Sequence, residues 1–357
     1  MKKLFLTVAA AALAIAGAYA QDAQSAAAAA AEVLSEAEDV PEAAPKPKYW
    51  DLTIQNNINF SQTKLTNWAA GGYNNYALAA NVDASANYAK DKMKWTNRLQ
   101  LDYGFLYSAD KPILQKHKDR IYFESNWGYE TPVEHLYWSA MFDFKTQFNN
   151  NYTYGNPATP VDPANPTREE WLAARTIKSG FLTPAYTNLG LGIKWTPKDW
   201  LVVNIAPLTG GVVMVEGFGL DTKDIHSLRK TYGMEATGET ASVDGEDIDL
   251  YKASRFELGA QVKADAKWVV NDVFTYTTQL VLFSNYLKDP QNIRVNWDNK
   301  IFWKLAKYFA LTLSTNLIYD DTVLVKDTTG DGEVNAPAVQ FKEFLEFGFT
   351  YTITGKR

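Results

Sequence analysis

Residues 76–88 read YALAANVDASANY, and this stretch decides the fold class. Its even positions carry apolar side chains with a tyrosine at each end, whereas its odd positions carry alanine, serine, asparagine or aspartate. Successive side chains of a β-strand point to opposite faces, so the pattern predicts one apolar face and one wet face. The stretch is longer than a soluble strand of about 5–6 residues. It matches a membrane-crossing strand, which needs about 9–11 residues and aromatic ends.

The same alternation recurs along the chain. Twelve segments carry it: 50–61, 74–88, 93–107, 119–131, 136–149, 183–196, 199–213, 252–268, 272–287, 293–305, 308–320 and 339–354. Short connections alternate with longer ones, and only residues 288–292 break this rule. Bacterial barrels have an even strand number, short periplasmic turns and longer outer loops. The sequence therefore predicts an all-β, antiparallel transmembrane outer-membrane β-barrel of 12 strands, or 14 if region 214–251 contains a further hairpin.

The composition excludes several other classes of protein. Aromatic residues make up 14% of the 357 residues, and charged residues make up 21%. No apolar run beyond the N-terminus is long enough for a transmembrane helix. The absence of cysteine excludes disulfides, cysteine-based zinc sites and iron–sulfur clusters. The net charge of −6 offers no basic footprint, so we expect no nucleic-acid partner.

The N-terminus predicts export. Two lysines precede the apolar stretch Leu4–Gly17, and Ala18–Ala20 forms an A-x-A cleavage site. This pattern predicts a signal peptide over residues 1–20. Residues 21–48, with an alanine run and three prolines, predict a flexible periplasmic tether, and residues 49–357 predict the barrel. We expect the mature protein in the cell outer membrane, in contact with its lipid.

Several segments resemble those of a known family. They are SQTKLTNWAAGG at 61–72, APLTGG at 206–211, LFSNYL at 282–287, IYDD at 318–321 and QFKE at 340–343. These segments resemble a Bacteroidota outer-membrane β-barrel family catalogued as domain of unknown function 3078. Gly211 departs from the pattern, because a lysine is expected there. The resemblance implies an outer-membrane barrel and supplies no established activity.

The sequence contains no recognisable catalytic motif. His117 falls in a lysine-rich predicted outer loop, His135 in a predicted periplasmic turn and His226 in the largest predicted outer loop. The acids and histidine available for a protease site at the barrel rim are Asp224, His226, Asp320 and Asp321. Solvated loop residues are the simpler interpretation, since phosphate loops, H-E-x-x-H and nucleophile elbows are absent from the sequence. We expect no catalytic residue, no cofactor and no enzyme activity.

Residues 327–333 read DTTGDGE and superficially resemble a calcium loop. Such a loop needs oxygen ligands at set spacing and a late bidentate glutamate. Ala338 occupies the position of that glutamate, and Thr329 replaces an expected acid. We therefore favour an exposed acidic turn and expect no metal site.

Charged residues occupy the predicted wet faces of the strands. The expected lumen-lining residues are Asp102, Glu124, Asp143, Lys145, Lys194, Glu257, Lys263, Asp265, Lys300, Lys304 and Lys342. Two interpretations remain open: a salt-bridged, largely blocked interior, or a narrow pore whose charges select solutes. Inward glycines favour the pore, because they are expected to leave space. They are Gly104, Gly128, Gly192 and Gly259.

Two functions follow from these patterns. The first is a narrow channel for small hydrophilic solutes through a charged lumen. The alternative is a structural or assembly component of an outer-membrane complex, which binds other outer-membrane or periplasmic proteins through its loops and tether. The long predicted loops at 150–182 and 214–251 serve either function, as a constriction or as a docking surface. Residues 168–175 predict a short helix in the first of them.

Overall fold

The computed structural model describes residues 49–63, 75–162, 166–326 and 335–354. The predicted signal peptide and tether lie outside these ranges, as do the calcium-like residues 327–333 and most of the first family segment. Predictions for those segments therefore remain predictions.

The described chain is mostly β-strand. The strands, in chain order, are β1 (Trp50–Thr63), β2 (Asn75–Lys90), β3 (Met93–Ser108), β4 (Lys111–Glu130), β5 (Leu136–Thr146), β6 (Asn151–Tyr154), β7 (Arg175–Ser179), β8 (Ala185–Lys198), β9 (Leu201–Met214), β10 (Ala236–Val243), β11 (Glu246–Tyr251), β12 (Ser254–Asn271), β13 (Phe274–Asn285), β14 (Ile293–Lys304), β15 (Phe309–Tyr319), β16 (Leu324–Lys326), β17 (Asn335–Pro337) and β18 (Gln340–Thr354). Twelve of them close into an antiparallel barrel. Their order around the barrel is β1-β18-β15-β14-β13-β12-β9-β8-β5-β4-β3-β2. Each predicted segment corresponds to one barrel strand, so the predicted fold class is confirmed.

Short turns join the strands at one end of the barrel, and longer connections lie at the other end. One predicted long loop, at residues 108–118, is wrong. Strand β4 begins at Lys111, so only Ala109 and Asp110 form the turn, and the Ser108 hydroxyl bonds to Asp110. The β3–β4 pairing passes from Gly104–Lys118 to Phe105–Lys116, which makes His117 the extra residue of a bulge. This irregularity breaks the alternation that the sequence prediction relied on.

Two long connections carry their own secondary structure. Helix α1 (Arg168–Ala173) lies where the short helix is predicted, and a capping box between Thr167 and Glu170 starts it. Helix α2 (Thr222–Thr231) precedes the β10–β11 hairpin. That hairpin lies in region 214–251 but pairs only with itself, so the fourteen-strand alternative is wrong. Its mostly polar, exposed residues provide no apolar face for lipid. None of the described helices is long and apolar enough to cross a membrane.

The outward face of the barrel exposes large apolar side chains. Tryptophans concentrate near the short-turn end, and the exposed ones there are Trp95, Trp127, Trp138, Trp195, Trp200, Trp268 and Trp303. Tyr76 and Tyr107 stack near the other end with ring centroids 6.1 Å apart. Aromatic girdles at both rims of an apolar band are typical of barrels that span a lipid bilayer.

Asn97 and Asn299 lie on this outward face, and both are hydrogen-bonded. The Asn97 Oδ1 accepts a hydrogen bond of 2.8 Å from the Ser125 hydroxyl, which itself accepts one of 2.8 Å from the Trp95 indole N–H. The Asn299 Oδ1 accepts one of 2.7 Å from the Tyr276 hydroxyl. Both asparagines keep regular strand pairing. Hydrogen bonds to neighbouring side chains therefore satisfy these two polar groups on the apolar outward face.

An apolar cluster lies at the long-connection end. Its buried members are Ile177, Val213, Val215, Ile225, Leu228 and Met234. They come from β7, from the end of β9, from α2 and from the segments that follow β9 and α2. We call residues 150–162, 166–182 and 215–253 the cap. Because Val213 belongs to a barrel strand, the cluster fastens the cap to the barrel wall.

Candidate functional site in the barrel interior

Contacts between distant strands identify the interior face of the barrel. The Lys263 ammonium on β12 contacts the Glu124 carboxylate on β4. Strands β9, β8 and β5 separate these two strands around the barrel. Because non-neighbouring strands of a closed barrel meet only through its interior, both side chains point inward. Alternation along each strand then assigns the other inward positions.

Glu124 is the centre of a network at mid-height. Besides Lys263, it accepts a hydrogen bond of 3.0 Å from the Tyr122 hydroxyl. Arg98 lies 4.0 Å from its other oxygen, and Lys263 lies 4.0 Å from Asp265. The Lys263 side chain is only 8% exposed. An ion pair this buried is stable only while both members remain, since removal of one leaves a charge that neither water nor protein neutralises.

A second group of ion pairs joins neighbouring strands β2, β3 and β4. Arg98 donates two hydrogen bonds to Asp83, of 2.9 and 2.6 Å. Arg120 donates one of 2.7 Å to Asp102, which also accepts one of 2.5 Å from the Asn81 amide. These bidentate and shared contacts hold the acids against the wall.

A third group lies at the mouth beneath the cap. Glu257 accepts hydrogen bonds of 3.0 Å from both Arg255 and Arg294, and its side chain is 3% exposed. Arg294 also lies 3.7 Å from Asp320. Arg255 further donates to the backbone carbonyl of Gly233, at 2.5 Å. Arg255 therefore connects the interior wall to the cap.

The remaining predicted residues have different surroundings. Asp143 accepts a hydrogen bond of 2.9 Å from the Asn188 amide. Three lysines, namely Lys145, Lys300 and the buried Lys194, lack an ion-pair or hydrogen-bond partner among the described residues. Lys304 is exposed at the short-turn end of β14, and Lys342 is exposed near the opposite end of β18.

Several inward charged or polar residues escaped the sequence prediction. They are Lys118, Arg120, Tyr122, Arg255 and Arg294. Arg120, Arg255 and Arg294 follow the alternation of their own segments, so this signal was available. Lys118 lay inside the wrongly predicted loop. Its ammonium pairs with Glu346 at 2.5 Å across three intervening strands.

The interior has two unlike sides. We call strands β5, β8, β9 and β12 the packed wall, because many of their inward residues are buried. Examples are Ser139, Met141, Lys194, Asn204, Gln261 and Lys263. We call strands β14, β15 and β18 the open wall. Its inward side chains are mostly half-buried or exposed, and among those whose burial the structure describes only Ala310 and Gly348 are buried.

The inward glycines provide close packing rather than space. A Cβ on Gly192 would lie 2.0 Å from the Ile205 carbonyl oxygen, and one on Gly259 would lie 2.0 Å from that of Ser284. A Cβ on Gly104 would lie 2.8 Å from the His117 ring. Only Gly128 has room, with its nearest neighbour at 3.5 Å. The expectation that these glycines open the lumen is therefore wrong for three of the four.

Comparison with known proteins agrees with the family resemblance. The family model described as "Protein of unknown function (DUF3078)" matches residues 60–152. This confirms the predicted resemblance over that stretch. No curated protein sequence matches the chain.

Solved barrel structures are similar to this chain at low identity. The translocator domain of autotransporter NalP from Neisseria meningitidis is 7% identical, covers 92% of this chain and 97% of its own, and has a TM-score of 0.36. The COG4313 outer membrane channel from Pseudomonas putida F1 is 11% identical, covers 89% of this chain and 99% of its own, and has a TM-score of 0.34. At these values neither likeness says what this protein does.

Proposed function

We propose that the protein is an outer-membrane barrel that acts as a narrow channel for small hydrophilic solutes. The exposed side chain of Lys300 on the open wall carries this proposal. An ammonium that is accessible to water inside a closed barrel implies a hydrated space, because charges are tolerated at membrane depth only where water or partners reach them. The apolar outer face and its tryptophans support the membrane location.

The same interior limits the size of the solute. The Lys263–Glu124 contact crosses the lumen from β12 to β4, so a solute passes beside it along the open wall. The cap covers the mouth above, where Arg255 holds Gly233. A path with these two constrictions fits small solutes and excludes folded or large ones.

Conductance in planar lipid bilayers tests this proposal. We expect stepwise currents from the purified barrel. Ser314→Trp, on the inward face of the open wall, should reduce the unitary conductance because the indole fills the path. Leu313→Trp, on the outward face of the same strand, is the matched control and should leave it unchanged. A barrel that inserts and folds but remains silent would refute the channel.

The orientation is part of the proposal. Short turns face the periplasm and the cap faces outward, as in other bacterial barrels. An epitope inserted at Asp244, in the β10–β11 turn, should be labelled on intact cells. The same epitope at Asp199, in the β8–β9 turn, should be labelled only after permeabilisation. The reverse pattern would show that the topology is inverted.

One observation favours an assembly role as the second candidate. Phe181 and Phe218 are both exposed on the cap, with ring centroids 6.2 Å apart. Exposed aromatic pairs on a rigid platform are typical of contact surfaces between proteins. A barrel without conductance that purifies in a defined complex, lost on Phe218→Ser, would favour this function over the channel.

We further propose that the protein is not an enzyme. The Nδ1 of His226 accepts a hydrogen bond of 2.8 Å from the Tyr251 backbone N–H. Asp320 faces Arg294 and accepts a hydrogen bond of 2.6 Å from the Thr322 hydroxyl. These groups serve as structural contacts, so neither is placed as a general base beside a nucleophile. Hydrolysis of lipid or peptide substrates by the purified barrel, abolished by His226→Gln, would contradict this proposal.

A further inference from the structure

Acids and bases in the lumen are held differently. Nine inward carboxylates accept a hydrogen bond from another side chain. These acids are Asp83, Asp102, Glu124, Asp143, Glu257, Asp265, Asp298, Asp320 and Glu346. Within the described part of the chain, Lys145, Lys194 and Lys300 have no such partner. The inward charged groups without a hydrogen-bond partner are therefore ammonium groups, and of these Lys194 is buried whereas Lys300 is exposed.

Two of these lysines face each other across the centre of the barrel. Strands β8, β9, β12 and β13 lie between Lys145 on β5 and Lys300 on β14. Arg120 acts electrostatically on both ammonium groups, so the three cations share one region of the lumen. We call these three residues the central station.

Acids also face the central station, but their oxygens are engaged. Asp298 and Asp143 are the acids that act on Lys145. Asp298 accepts a hydrogen bond of 2.7 Å from the Asn316 amide, and Asp143 accepts its bond from Asn188. Amide donors hold these carboxylates on the wall, and neither carboxylate forms an ion pair with Lys145. Its long side chain remains free to meet an ion in the path.

The acids near Lys300 are held in the same way. Asp102 and Asp83 act on its ammonium. Arg120 donates a hydrogen bond to Asp102, and Arg98 donates to Asp83. Because each acid already has an arginine, Lys300 adds a positive charge that the wall does not cancel.

A second cationic region lies nearer the short-turn end. Lys194 on β8 and Lys94 on β3 are within electrostatic range of each other. Lys94 donates a hydrogen bond of 2.8 Å to the Tyr137 hydroxyl, which leaves its charge unpaired. Glu124 and Asp265 also act on Lys194, but Lys263 contacts both. We call Lys94 and Lys194 the lower station, in which Lys94 is exposed to the path and the buried Lys194 adds its charge from behind the surface.

We propose that the channel selects small anions, which pass from one station to the other. This inference rests on the proposed channel function and names its solute class. Carboxylate and phosphate groups fit the stations, because several ammonium and guanidinium donors converge on the same space. Two sites of moderate affinity in series bind an ion strongly enough for it to enter and weakly enough for it to leave, as conduction requires.

The reversal potential of the purified barrel in a potassium chloride gradient tests the proposal. We expect chloride to be more permeant than potassium. The double variant Lys145→Gln/Lys300→Gln should lower the chloride-to-potassium permeability ratio by about threefold or more, because lumen potentials of the order of kT control ion partition. Lys300→Arg, which retains the charge, should keep the wild-type ratio. Potassium acetate in place of chloride tests a small carboxylate in the same way.

Lys252→Gln is the matched control. Lys252 pairs with Glu235 on the exposed side of the cap, away from both stations, so its loss should leave the ratio unchanged. A wild-type current that prefers potassium, or shows no preference, overturns the anion proposal and leaves the channel intact. A double variant with the wild-type ratio and normal heat-modifiability also overturns it. Absence of current in every form defeats the channel and the anion proposal together.

Discussion

The packed wall and the open wall have similar residue types but different environments. Lys263 on the packed wall is buried against Glu124, whereas Lys300 on the open wall is exposed and has no such partner among the described residues. Both are lysines at inward positions of long strands. The difference shows that inward polarity alone does not make a water-filled path. The distance to the opposite strands decides whether a charge stabilises the barrel or faces a solute.

Glycines and a bulge explain why one wall is packed. The β9 strand shifts register against β8 and β12 around Ala206, which brings its backbone against Gly192. Gly259 lies against the carbonyl of Ser284 in the same way. Close backbone contact leaves little room for water, so a buried polar side chain there, such as Lys263, is stabilised by contacts with other side chains.

The largest effect on this comparison is expected from Lys263→Gln. Loss of its ammonium leaves Glu124 buried with an incomplete partner, which costs about 3–5 kcal/mol of unfolding free energy. The matched change on the open wall, Lys300→Gln, should change stability by less than about 0.5 kcal/mol. Urea unfolding in lipid vesicles, followed by tryptophan fluorescence, measures both. Similar decreases in unfolding free energy in the two variants would show that the packed wall and the open wall do not differ in this way.

The second-largest effect on stability distinguishes the lipid-facing side of the barrel from the side that faces the lumen. Val262→Arg places a guanidinium on the outward face in the middle of β12, where the bilayer cost is about 2–4 kcal/mol. Ser314→Arg places the same group on the inward face of the open wall and should be nearly neutral. The same urea experiment compares them. If Ser314→Arg were the more damaging change, the assignment of inward and outward faces would be wrong.

A smaller effect tests the close backbone contacts. Gly259→Ala pushes a methyl group against the Ser284 carbonyl, and overpacking of this kind costs about 1–3 kcal/mol. Gly128→Ala has room for its Cβ, with the nearest atom at 3.5 Å, and should be tolerated or slightly stabilising. Urea midpoints of the two variants give the comparison. Equal urea midpoints for the two variants would mean that the backbone around Gly259 can shift to accommodate a methyl group at little cost.

The smallest effect concerns the cap, which is fastened to the packed wall through β9. Burial and the nearby Arg229 cation hold the pKa of His226 below its usual value of 6.5. Its neutral form accepts the Tyr251 N–H, so the contribution to cap stability is complete above pH 6.5. It is lost as the pH falls through the lowered pKa of the folded protein.

Hydrogen exchange of the Tyr251 amide measures this contribution. After correction for the intrinsic pH dependence of exchange, protection should decrease on acidification in the wild type. His226→Gln should remove that dependence. Protection that is constant with pH in the wild type would show that His226 does not secure the cap.

Much of the barrel could be predicted because strand alternation is a local property. The stretch 76–88 predicts β2 almost to its ends, and its apolar positions Tyr76 and Leu78 are exposed on the outer face. The prediction failed at β4, where the bulge at His117 breaks the period. The β10–β11 hairpin was recognised as an alternative, but its position outside the barrel depends on pairing partners rather than on its own residues.

The interior could be predicted only by face. Alternation assigns Asp102, Glu124 and Lys263 to the wet side, because each neighbour along the strand points the other way. Which charges meet is a different question. Lys263 and Glu124 are 139 residues apart, and their contact depends on barrel closure and on the tilt and stagger of the intervening strands.

The sequence by itself determined the strand period and the division into an apolar and a charged face, whereas strand pairing decided between 12 and 14 barrel strands. Only the tertiary structure decided that Lys263 is buried in an ion pair while Lys300 is exposed. It also decided that Gly192 and Gly259 bring backbones together instead of opening space. The physical reason is that alternation depends on adjacent residues, whereas lumen packing depends on distances across a closed barrel that no local pattern encodes.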